Sequence, residues 1–390
     1  MKFRKPALLT RVIIALVLGV LSSYIFPEWV VRVFVTINVI FSNYLGFIIP
    51  LIIIGLVAPG IADLGKGAGK LLIITASIAY SSTLISGFFS YFTTRFSLPL
   101  IMEKSAILSI GGDIGDVSIA PWFTIEMPPL LGVTSALVLA FVVGLTLTVT
   151  GGNTIRNILH EFRDIIETVI IKTIIPLLPL FIFGIFLKIG AEGEVKVVMG
   201  LFFKVILIIF AMHILLLLFQ YTLAWMVSGK NPFRALYNML PAYLTALGTQ
   251  SSAATIPVTL SQVKKNGVDP EVADFAVPLC ATVHLAGSIL KIVSCAYAIM
   301  WFNDMSAGIS LFAGFIFMLG IIMVAAPGVP GGAIMASVAL LQSMLGFDQN
   351  LTGLMIALYI TMDSFGTACN VTGDGAIAII VDKIYRKRFI

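Results

Sequence analysis

Long apolar runs dominate this chain and predict a bundle of membrane-spanning helices. A helix needs about 20 apolar residues to cross the hydrocarbon core of a bilayer, and about eight runs of this kind fill nearly the whole sequence. They leave no room for a separate soluble domain. The first six predicted spans lie near residues 8–26, 34–62, 70–97, 118–150, 153–190 and 197–228.

After the sixth span, the apolar segment 235–266 is interrupted at its centre. The interruption, 248–252, reads Gly-Thr-Gln-Ser-Ser, Pro257 follows it, and the segment is too short for two crossings. Basic residues collect on the cytoplasmic side of membrane proteins, so basic flanks at both ends predict a hairpin that enters from the cytoplasm and returns. The flanking residues are Lys230, Arg234, Lys264 and Lys265.

A second interrupted segment, 308–346, follows the predicted span 272–302 and precedes the last span, 350–382. Its interruption, 327–332, reads Pro-Gly-Val-Pro-Gly-Gly, and its flanks carry aspartate rather than lysine or arginine, which indicates entry from the external side. Irregular backbone at membrane depth is tolerated only where it is buried in protein or lines a cavity. Two broken segments in inverted order therefore predict a secondary transporter with a site at the membrane midplane.

The last predicted span carries a polar stripe. Asp363, Thr367, Asn370 and Asp374 lie at offsets of 0, 4, 7 and 11, which places them on one face of a helix. Carboxylates at membrane depth are costly and by default functional. Asn370 and Asp374, four residues apart, are close enough to coordinate one hard cation such as Na⁺ through oxygen atoms.

An intramembrane aspartyl protease also uses two buried aspartates, but the spacing here argues against one. Residues 11 apart on a helix are about 16 Å apart along its axis, whereas a shared-proton dyad needs carboxylates about 3 Å apart. Cys280 and His284 share a span without an orienting third group, and the three cysteines have no metal-type spacing. No catalytic residue is therefore predicted, and we expect the protein not to be an enzyme.

Composition and charge agree with a membrane protein. Of 390 residues, 59% are hydrophobic and only 11% are charged, and the net charge of +5 comes largely from the two ends. Beside membrane spans, such basic clusters predict that both termini are cytoplasmic rather than that the chain binds nucleic acid. The first apolar run ends in Phe-Pro-Glu-Trp instead of small residues, so it is interpreted as a retained helix and not as a signal peptide.

Three motifs carry a family resemblance. Asn-Val-Thr-Gly-Asp at 370–374, Ser251-Ser252 in the first hairpin and Gly-Val-Pro-Gly at 328–331 in the second resemble the dicarboxylate/amino acid:cation symporter family. The resemblance implies an all-α polytopic fold with about eight transmembrane helices and two re-entrant hairpins, in a prokaryotic plasma membrane. It also implies a homotrimer, surrounded by membrane lipid, that works by an elevator mechanism.

The same resemblance divides the chain into a fixed scaffold and a moving transport domain. Residues 1–69 would hold scaffold helices one and two, and 118–192 scaffold helices four and five. Residues 70–117 would hold transport-domain helix three with an external loop. Residues 193–390 would hold the transport-domain core, made of helices six to eight and both hairpins.

The resemblance also implies an amino acid site. Asp363 corresponds to the residue that binds the α-amino group of the substrate, while Asn370 and the backbone at Ser251-Ser252 correspond to the groups that hold its α-carboxylate. A buried anion suits an ammonium group, and amides at a hairpin tip suit a carboxylate. The expected substrate-binding residues are Gln250, Ser251, Ser252, Gly328, Val329, Pro330, Asp363, Gly366, Thr367 and Asn370.

Departures from the family pattern indicate the cargo. Members that carry acidic substrates hold the second carboxylate with an arginine, and the two corresponding positions here are Gly366 and Gln250. Without that cation a second carboxylate would be buried unpaired, which is costly. We therefore expect a neutral amino acid such as serine, threonine or alanine, and the space at Gly366 would admit a larger side chain. An acidic amino acid or dicarboxylate is the more remote alternative.

The ion sites depart from the family pattern as well. His284-Leu285-Ala286-Gly287 stands where the family has Asn-Met-Asp-Gly, so one sodium site is expected to be lost. A second would use Asn370 and Asp374, and a third would use mostly carbonyls near Thr282. His284 could be a neutral replacement for asparagine, a ligand, or a group that couples transport to H⁺ instead of Na⁺.

Lys291, seven residues after His284, is a second unusual charge within the span. It could reach towards water or a carboxylate, or its ammonium could replace a missing sodium ion.

Overall fold

The computed structural model describes residues 8–64, 70–101, 119–150, 152–193, 195–324, 326 and 330–389, and this part of the chain is helical without a strand. The first six helices are α1 (Leu8–Ser23), α2 (Glu28–Leu64), α3 (Lys70–Ile101), α4 (Val133–Thr150), α5 (Asn153–Ala191, with a π-helical turn at Ile170–Ile174) and α6 (Val195–Ser228). The next nine are α7 (Pro232–Asn238), α8 (Leu240–Thr249), α9 (Ser252–Lys265), α10 (Pro270–Val283), α11 (Ala286–Phe302), α12 (Ile309–Val324), α13 (Gly332–Leu345), α14 (Gln349–Thr361) and α15 (Asp363–Phe389).

Several of these helices are long and apolar enough to cross a bilayer, so the predicted all-α, multi-pass membrane fold is confirmed. Within the described residues, six segments meet both criteria, and four shorter apolar helices accompany them. The six segments are Glu28–Ala62, Leu71–Ile101, Asn153–Ala191, Val198–Ser228, Pro270–Phe302 and Asp363–Arg386.

The fourth span begins later than the sequence pattern predicts. Residues 119–132 form no helix, because Pro121, Pro128 and Pro129 lack the N–H group that a helix interior requires. The segment instead follows α2, where the Arg32 guanidinium donates to Ala120 O at 2.9 Å. The helix then starts at Val133.

Two groups of helices pack mainly within themselves. In the first group, α5 contacts α1 and α2, and α2 also contacts α4; in the second, α3 lies along α11 and also contacts α10, α12 and α15. Serines spaced four apart on α3 make its contact with α11 polar: Ser86 Oγ donates to Ala286 O and Ser90 Oγ to Leu290 O, each at 2.7 Å. Such bonds tie helices together where both partners are shielded from water.

The first predicted hairpin is formed by α8 and α9, and both arms pack against α15. The chain turns at Gln250, a buried residue in the left-handed conformation with φ 55°, and Ser251 Oγ caps α9 by accepting from Ala254 N at 3.2 Å. At the base, Lys230 Nζ donates to the carbonyls of Asn266 and Gly267 at 2.9 and 2.8 Å. The hairpin is therefore fastened at its open end.

The second hairpin is formed by α12 and α13. Helix α12 ends at Val324, and α13 begins after Gly331, whose φ of 75° belongs to the region that glycine adopts without strain. The two arms contact each other, and α13 also contacts α2. Most of the turn between the arms lies outside the described residues.

Two spans that the sequence predicts as continuous are broken. The seventh breaks at His284 and Leu285, between α10 and α11, and the eighth at Met362, between α14 and α15. Neither break has a glycine or proline at the interruption, so the sequence pattern gave no signal. Each break frees backbone groups, and the site described below uses them.

Candidate substrate and ion site

The predicted polar stripe lies on α15, which begins at its first member. The exposed fractions of Asp363, Thr367, Asn370 and Asp374 are 4, 7, 2 and 1%. These values show that the stripe faces protein and not the surface. Thr367 Oγ1 donates to Asp363 O at 2.9 Å, one turn earlier in the same helix.

Asp363 joins the second hairpin to the bundle. Its Oδ2 accepts from Gly331 N at 2.7 Å, and its Oδ1 accepts from Lys291 Nζ at 3.2 Å. The second bond is a buried ion pair between α11 and α15. The carboxylate is thus already bound by an ammonium group, that of the chain itself.

Three groups surround the ammonium of Lys291. Besides the carboxylate of Asp363, Nζ donates to Met362 O at 3.3 Å, a carbonyl freed by the break before α15, and lies 3.7 Å from the centroid of the Tyr359 ring. Cations over aromatic faces are attracted by the ring quadrupole. Lys291 therefore reaches a carboxylate, one of the two outcomes that the sequence left open for it, and does not extend to water.

The space expected beside Gly366 is filled. A Cβ at this position would collide with Cε and Nζ of Lys291, so the missing side chain makes room for the lysine. The expectation that this glycine leaves room for a larger cargo is corrected, because the volume belongs to Lys291. The ammonium of Lys291 nevertheless places a positive charge beside Gly366, where the sequence analysis expected none.

Asn370 is held by the beginning of α11. Its Oδ1 accepts from Gly287 N at 2.7 Å and Ser288 N at 3.3 Å, and its Nδ2 donates to Ser288 Oγ at 3.0 Å. The approach is close because residue 287 is glycine: a Cβ there would lie 2.7 Å from Gly366 O. The break before α11 supplies these N–H groups, which lie in the first turn of the helix; Ser288 N also donates to Leu285 O at 3.1 Å.

Asp374 is paired with His284. The histidine, placed at the break between α10 and α11, donates from Nδ1 to Asp374 Oδ1 at 2.8 Å. Its Nε2 lies 3.1 Å from Ser82 Oγ and 3.3 Å from Gln220 Nε2, on α3 and α6. Side chains of three helices, α3, α6 and α15, thus meet at one imidazole ring.

The tip of the second hairpin lies beside Asp363, and the arms of the first hairpin pack on the helix that carries it. Gln250, Ser251 and Ser252 form the turn between α8 and α9, both of which pack on α15. In the second tip, Gly331 is bonded to Asp363 and Pro330 precedes it. Gly328 and Val329 lie outside the described residues.

Comparison with known proteins identifies the family. Residues 8–384 match the sodium:dicarboxylate symporter family, which is nearly the whole chain. The chain belongs to this family. The resemblance drawn from the three motifs is confirmed. The members of this family are transporters, so the prediction that this symporter is not an enzyme is confirmed as well.

Individual relatives differ in how much of the symporter they match. Serine/threonine transporter SstT of Campylobacter jejuni is 26% identical over 410 residues, covering 98% of this chain and 96% of that protein. The same transporter of Streptococcus thermophilus is 23% identical over 398 residues, with 98% and 97% covered. Human excitatory amino acid transporter 3 is 32% identical over 197 residues, which span 50% of this chain and only 37% of the human protein.

The family's description names sodium, but two of the side-chain oxygens predicted to bind it already accept hydrogen bonds in this conformation. Asn370 Oδ1 accepts two backbone N–H groups, and Asp374 Oδ1 accepts from His284. Among the described residues, no cluster of three His, Cys, Asp or Glu side chains could hold a metal. The side-chain sodium site at Asn370 and Asp374 stays a prediction, with the second carboxylate oxygen of Asp374 as its remaining ligand.

The end of α10 offers backbone carbonyl oxygens that suit a sodium ion. Helix α10 ends at Val283 and contacts α12, which ends at Val324. The carbonyls of Ala281, Thr282 and Val283 accept no hydrogen bond from any described residue, while Thr282 Oγ1 donates to Leu279 O at 2.9 Å. Carbonyls at the ends of broken helices are typical ligands of Na⁺ in transporters.

Sequence patterns alone do not single out Ser82, Gln220, Tyr359 or Ser288, which complete these contacts. A signal exists for Gln220, because an amide in the middle of an apolar span is costly unless it is paired. The serines and the tyrosine give no such signal, because they are common in membrane helices.

Proposed function

We propose that this symporter imports a neutral amino acid together with Na⁺, by secondary active transport. The observation that carries the proposal is the bond between Lys291 Nζ and Asp363 Oδ1, because it demonstrates that the buried carboxylate accepts an ammonium group. An amino acid presents the same group. The full-length bacterial relatives are named as serine/threonine transporters, which supports serine, threonine or alanine as cargo.

The carboxylate of the cargo would be held by the tip of the first hairpin. Helix α9 begins at Ser252, so its first N–H groups have no partner within the helix, and its dipole favours an anion. Both arms of that hairpin pack against α15, which carries Asp363 and Asn370. Ammonium and carboxylate would thus be bound by different elements, which selects for the spacing of an amino acid.

The cargo is proposed to be neutral although a cation lies beside Gly366. The charges of Lys291 and Asp363 balance each other, so the pair leaves no positive charge over for a second carboxylate. Gln250, the other position at which the family places an arginine, carries no charge. An acidic amino acid or dicarboxylate would therefore bury one uncompensated negative charge.

Sodium would be coordinated by the carbonyl groups at the ends of α10 and α12, near Thr282. The ion supplies a positive charge that is driven inward by its gradient. Binding there would draw the second hairpin towards α10, because each helix contributes ligands. Transport would therefore require sodium because the ion closes the second hairpin.

The movement is proposed to be an elevator. Helices α1, α2, α4 and α5, within residues 1–69 and 118–192, would form the trimer scaffold of a prokaryotic inner membrane, with both termini cytoplasmic. Helix α3, with 193–390, would move as the transport domain. The contacts in the fold support this division, because each group is packed more extensively within itself than against the other.

A second candidate keeps the cargo and replaces Na⁺ with H⁺. The observation that favours it is the bond from His284 Nδ1 to Asp374 Oδ1, which occupies the side-chain sodium site with a group able to carry a proton. Coupling through His284 would make uptake depend on a pH gradient and not on sodium.

Uptake into proteoliposomes tests both candidates. Labelled serine, alanine, leucine and aspartate are offered with Na⁺ and H⁺ gradients imposed separately. We expect serine or alanine to enter on a sodium gradient alone; a preference for aspartate would refute the neutral cargo, and uptake driven by pH without sodium would favour the second candidate.

Asp363→Asn tests the ammonium site itself. We expect at least a tenfold loss of uptake, equivalent to about 1.4 kcal/mol or more. Asp348→Asn is the matched control, because this aspartate caps α14 through Leu351 N at 2.8 Å and asparagine caps equally well. Wild-type rates in Asp363→Asn would remove the assigned role.

A further inference from the structure

Lys291 is buried too deeply to be a lysine that reaches the membrane surface. Its side chain is fully buried, so it does not extend to the lipid headgroups. The absence of a side chain at Gly366 and the ring of Tyr359 both shape the space around it. Because several groups are arranged around this one ammonium, we infer that it has a function at this place.

The ion pair exists while the second hairpin rests on the same carboxylate. Gly331 N donates to Asp363 Oδ2 at 2.7 Å, and Lys291 Nζ donates to Oδ1 at 3.2 Å. No cargo ammonium is needed to fill either oxygen. The closed tip and the neutralised carboxylate are therefore compatible in a carrier without cargo.

Charge in the transport domain differs between the two halves of a transport cycle. With an amino acid bound, its ammonium pairs with Asp363; once the cargo leaves, a lone carboxylate would have to cross the bilayer. An uncompensated charge at membrane depth is strongly unfavourable. Lys291 removes this problem, because Asp363 and Lys291 together carry no net charge.

The groups around Lys291 also explain how the loaded and the empty carrier can both exist. When a cargo ammonium takes Asp363 Oδ1, the lysine keeps Met362 O and the Tyr359 ring as partners. A zwitterionic cargo adds no net charge to the Asp363–Lys291 pair, so of the bound partners only the coupled Na⁺ adds charge to the loaded carrier. The ammonium of Lys291 needs to move only away from Asp363 while it stays beside Met362 O and the Tyr359 ring.

We propose that Lys291 is the internal counterion of the empty carrier: its ammonium replaces that of the cargo on Asp363 and so permits the return step. This inference rests on the proposed amino acid transport. It makes Lys291 a positioning residue for one half of the cycle, and it requires no counter-transported cation.

Comparing two modes of transport tests the inference. Net uptake needs the empty carrier to return, whereas exchange of internal for external amino acid uses only the loaded carrier. In proteoliposomes, we expect Lys291→Met to lower net uptake at least tenfold and to leave serine exchange within about twofold of wild type, and a tenfold effect needs only about 1.4 kcal/mol of extra barrier. Retained exchange shows at the same time that the variant folds.

Two further variants make the result specific. Lys188→Met removes a lysine from α5, where it pairs with Glu192 at 3.7 Å, and should change neither mode. Gly366→Ala keeps the lysine but takes its space, so it should lower net uptake more than exchange, although less than Lys291→Met does.

The outcomes separate this inference from the proposed function. Equal slowing of both modes in Lys291→Met, or no slowing of either, overturns the role of Lys291 while transport by the wild type stands. A wild-type protein that neither takes up nor exchanges any amino acid refutes the proposed function, and with it the inference.

Discussion

The close approach of α11 to α15 at Gly287 can be tested by adding one carbon atom. In Gly287→Ala the new Cβ would lie 2.7 Å from Gly366 O and 2.8 Å from Cys369 Cβ, whereas ordinary contact begins at 3.4 Å. The first neighbour is backbone, so it cannot turn away as a flexible side chain would. The helices must separate by several tenths of an ångström at the point where the site is assembled.

The energy follows from three contributions. Overpacking of this kind costs about 1–3 kcal/mol. Separation also lengthens the 2.7 Å bond from Gly287 N to Asn370 Oδ1, a loss of about 1 kcal/mol. Alanine returns at most about 1 kcal/mol through its higher helix propensity. We therefore expect a net destabilisation of about 1–3 kcal/mol.

Thermal unfolding in one detergent, followed by tryptophan fluorescence, measures the effect. Gly200→Ala is the matched control, because Gly200 lies in α6 and a Cβ there would meet nothing within 4 Å. We expect the control to unfold at or above the wild-type temperature and Gly287→Ala several degrees below it. Equal midpoints for the two variants would show that α11 and α15 are not in close contact, and the reasoning would be wrong.

Two other contacts give predictions of the same kind. His284→Ala should lower the unfolding temperature, because Asp374 loses a donor at 2.8 Å and a buried acceptor left unpaired costs about 1–3 kcal/mol; the double variant with Asp374→Ala should lose less than the sum of the two single variants, and additive losses would contradict the pairing. Tyr359→Leu should cost about 0.5–2 kcal/mol of cation–π attraction to Lys291, whereas Tyr359→Phe, which keeps the ring, should cost less. The same unfolding assay compares this pair, and equal losses would place the contribution in the hydroxyl instead of the ring.

Periodicity predicted those parts of the site that lie on one element. The offsets from Asp363 to Asp374 gave the buried face of α15, and the interruption at 248–252 gave the turn between α8 and α9, because both depend only on local backbone geometry. The hydrophobic runs likewise predicted the number and order of the first six helices.

Contacts between elements could not be predicted in this way. The break at Met362 is stabilised by Lys291, a residue on another helix, so nothing in the local sequence marks it. The pairing of His284 with Asp374 depends on the register between two helices, which spacing along one of them does not fix. The space at Gly366 was assigned to cargo for the same reason, since its occupant comes from α11.

The Lys291–Asp363 pair also has a consequence for the order in which the chain is made. The two residues are 72 positions apart, so the lysine leaves the ribosome on the order of 4–14 s before its carboxylate. During that time its span must be held in the bilayer with an unpaired charge, which costs about 2.5–3.5 kcal/mol at a helix centre. The span from Pro270 to Phe302 must therefore be apolar enough to insert alone. The charge of Lys291 is paired only after α15 has been synthesised.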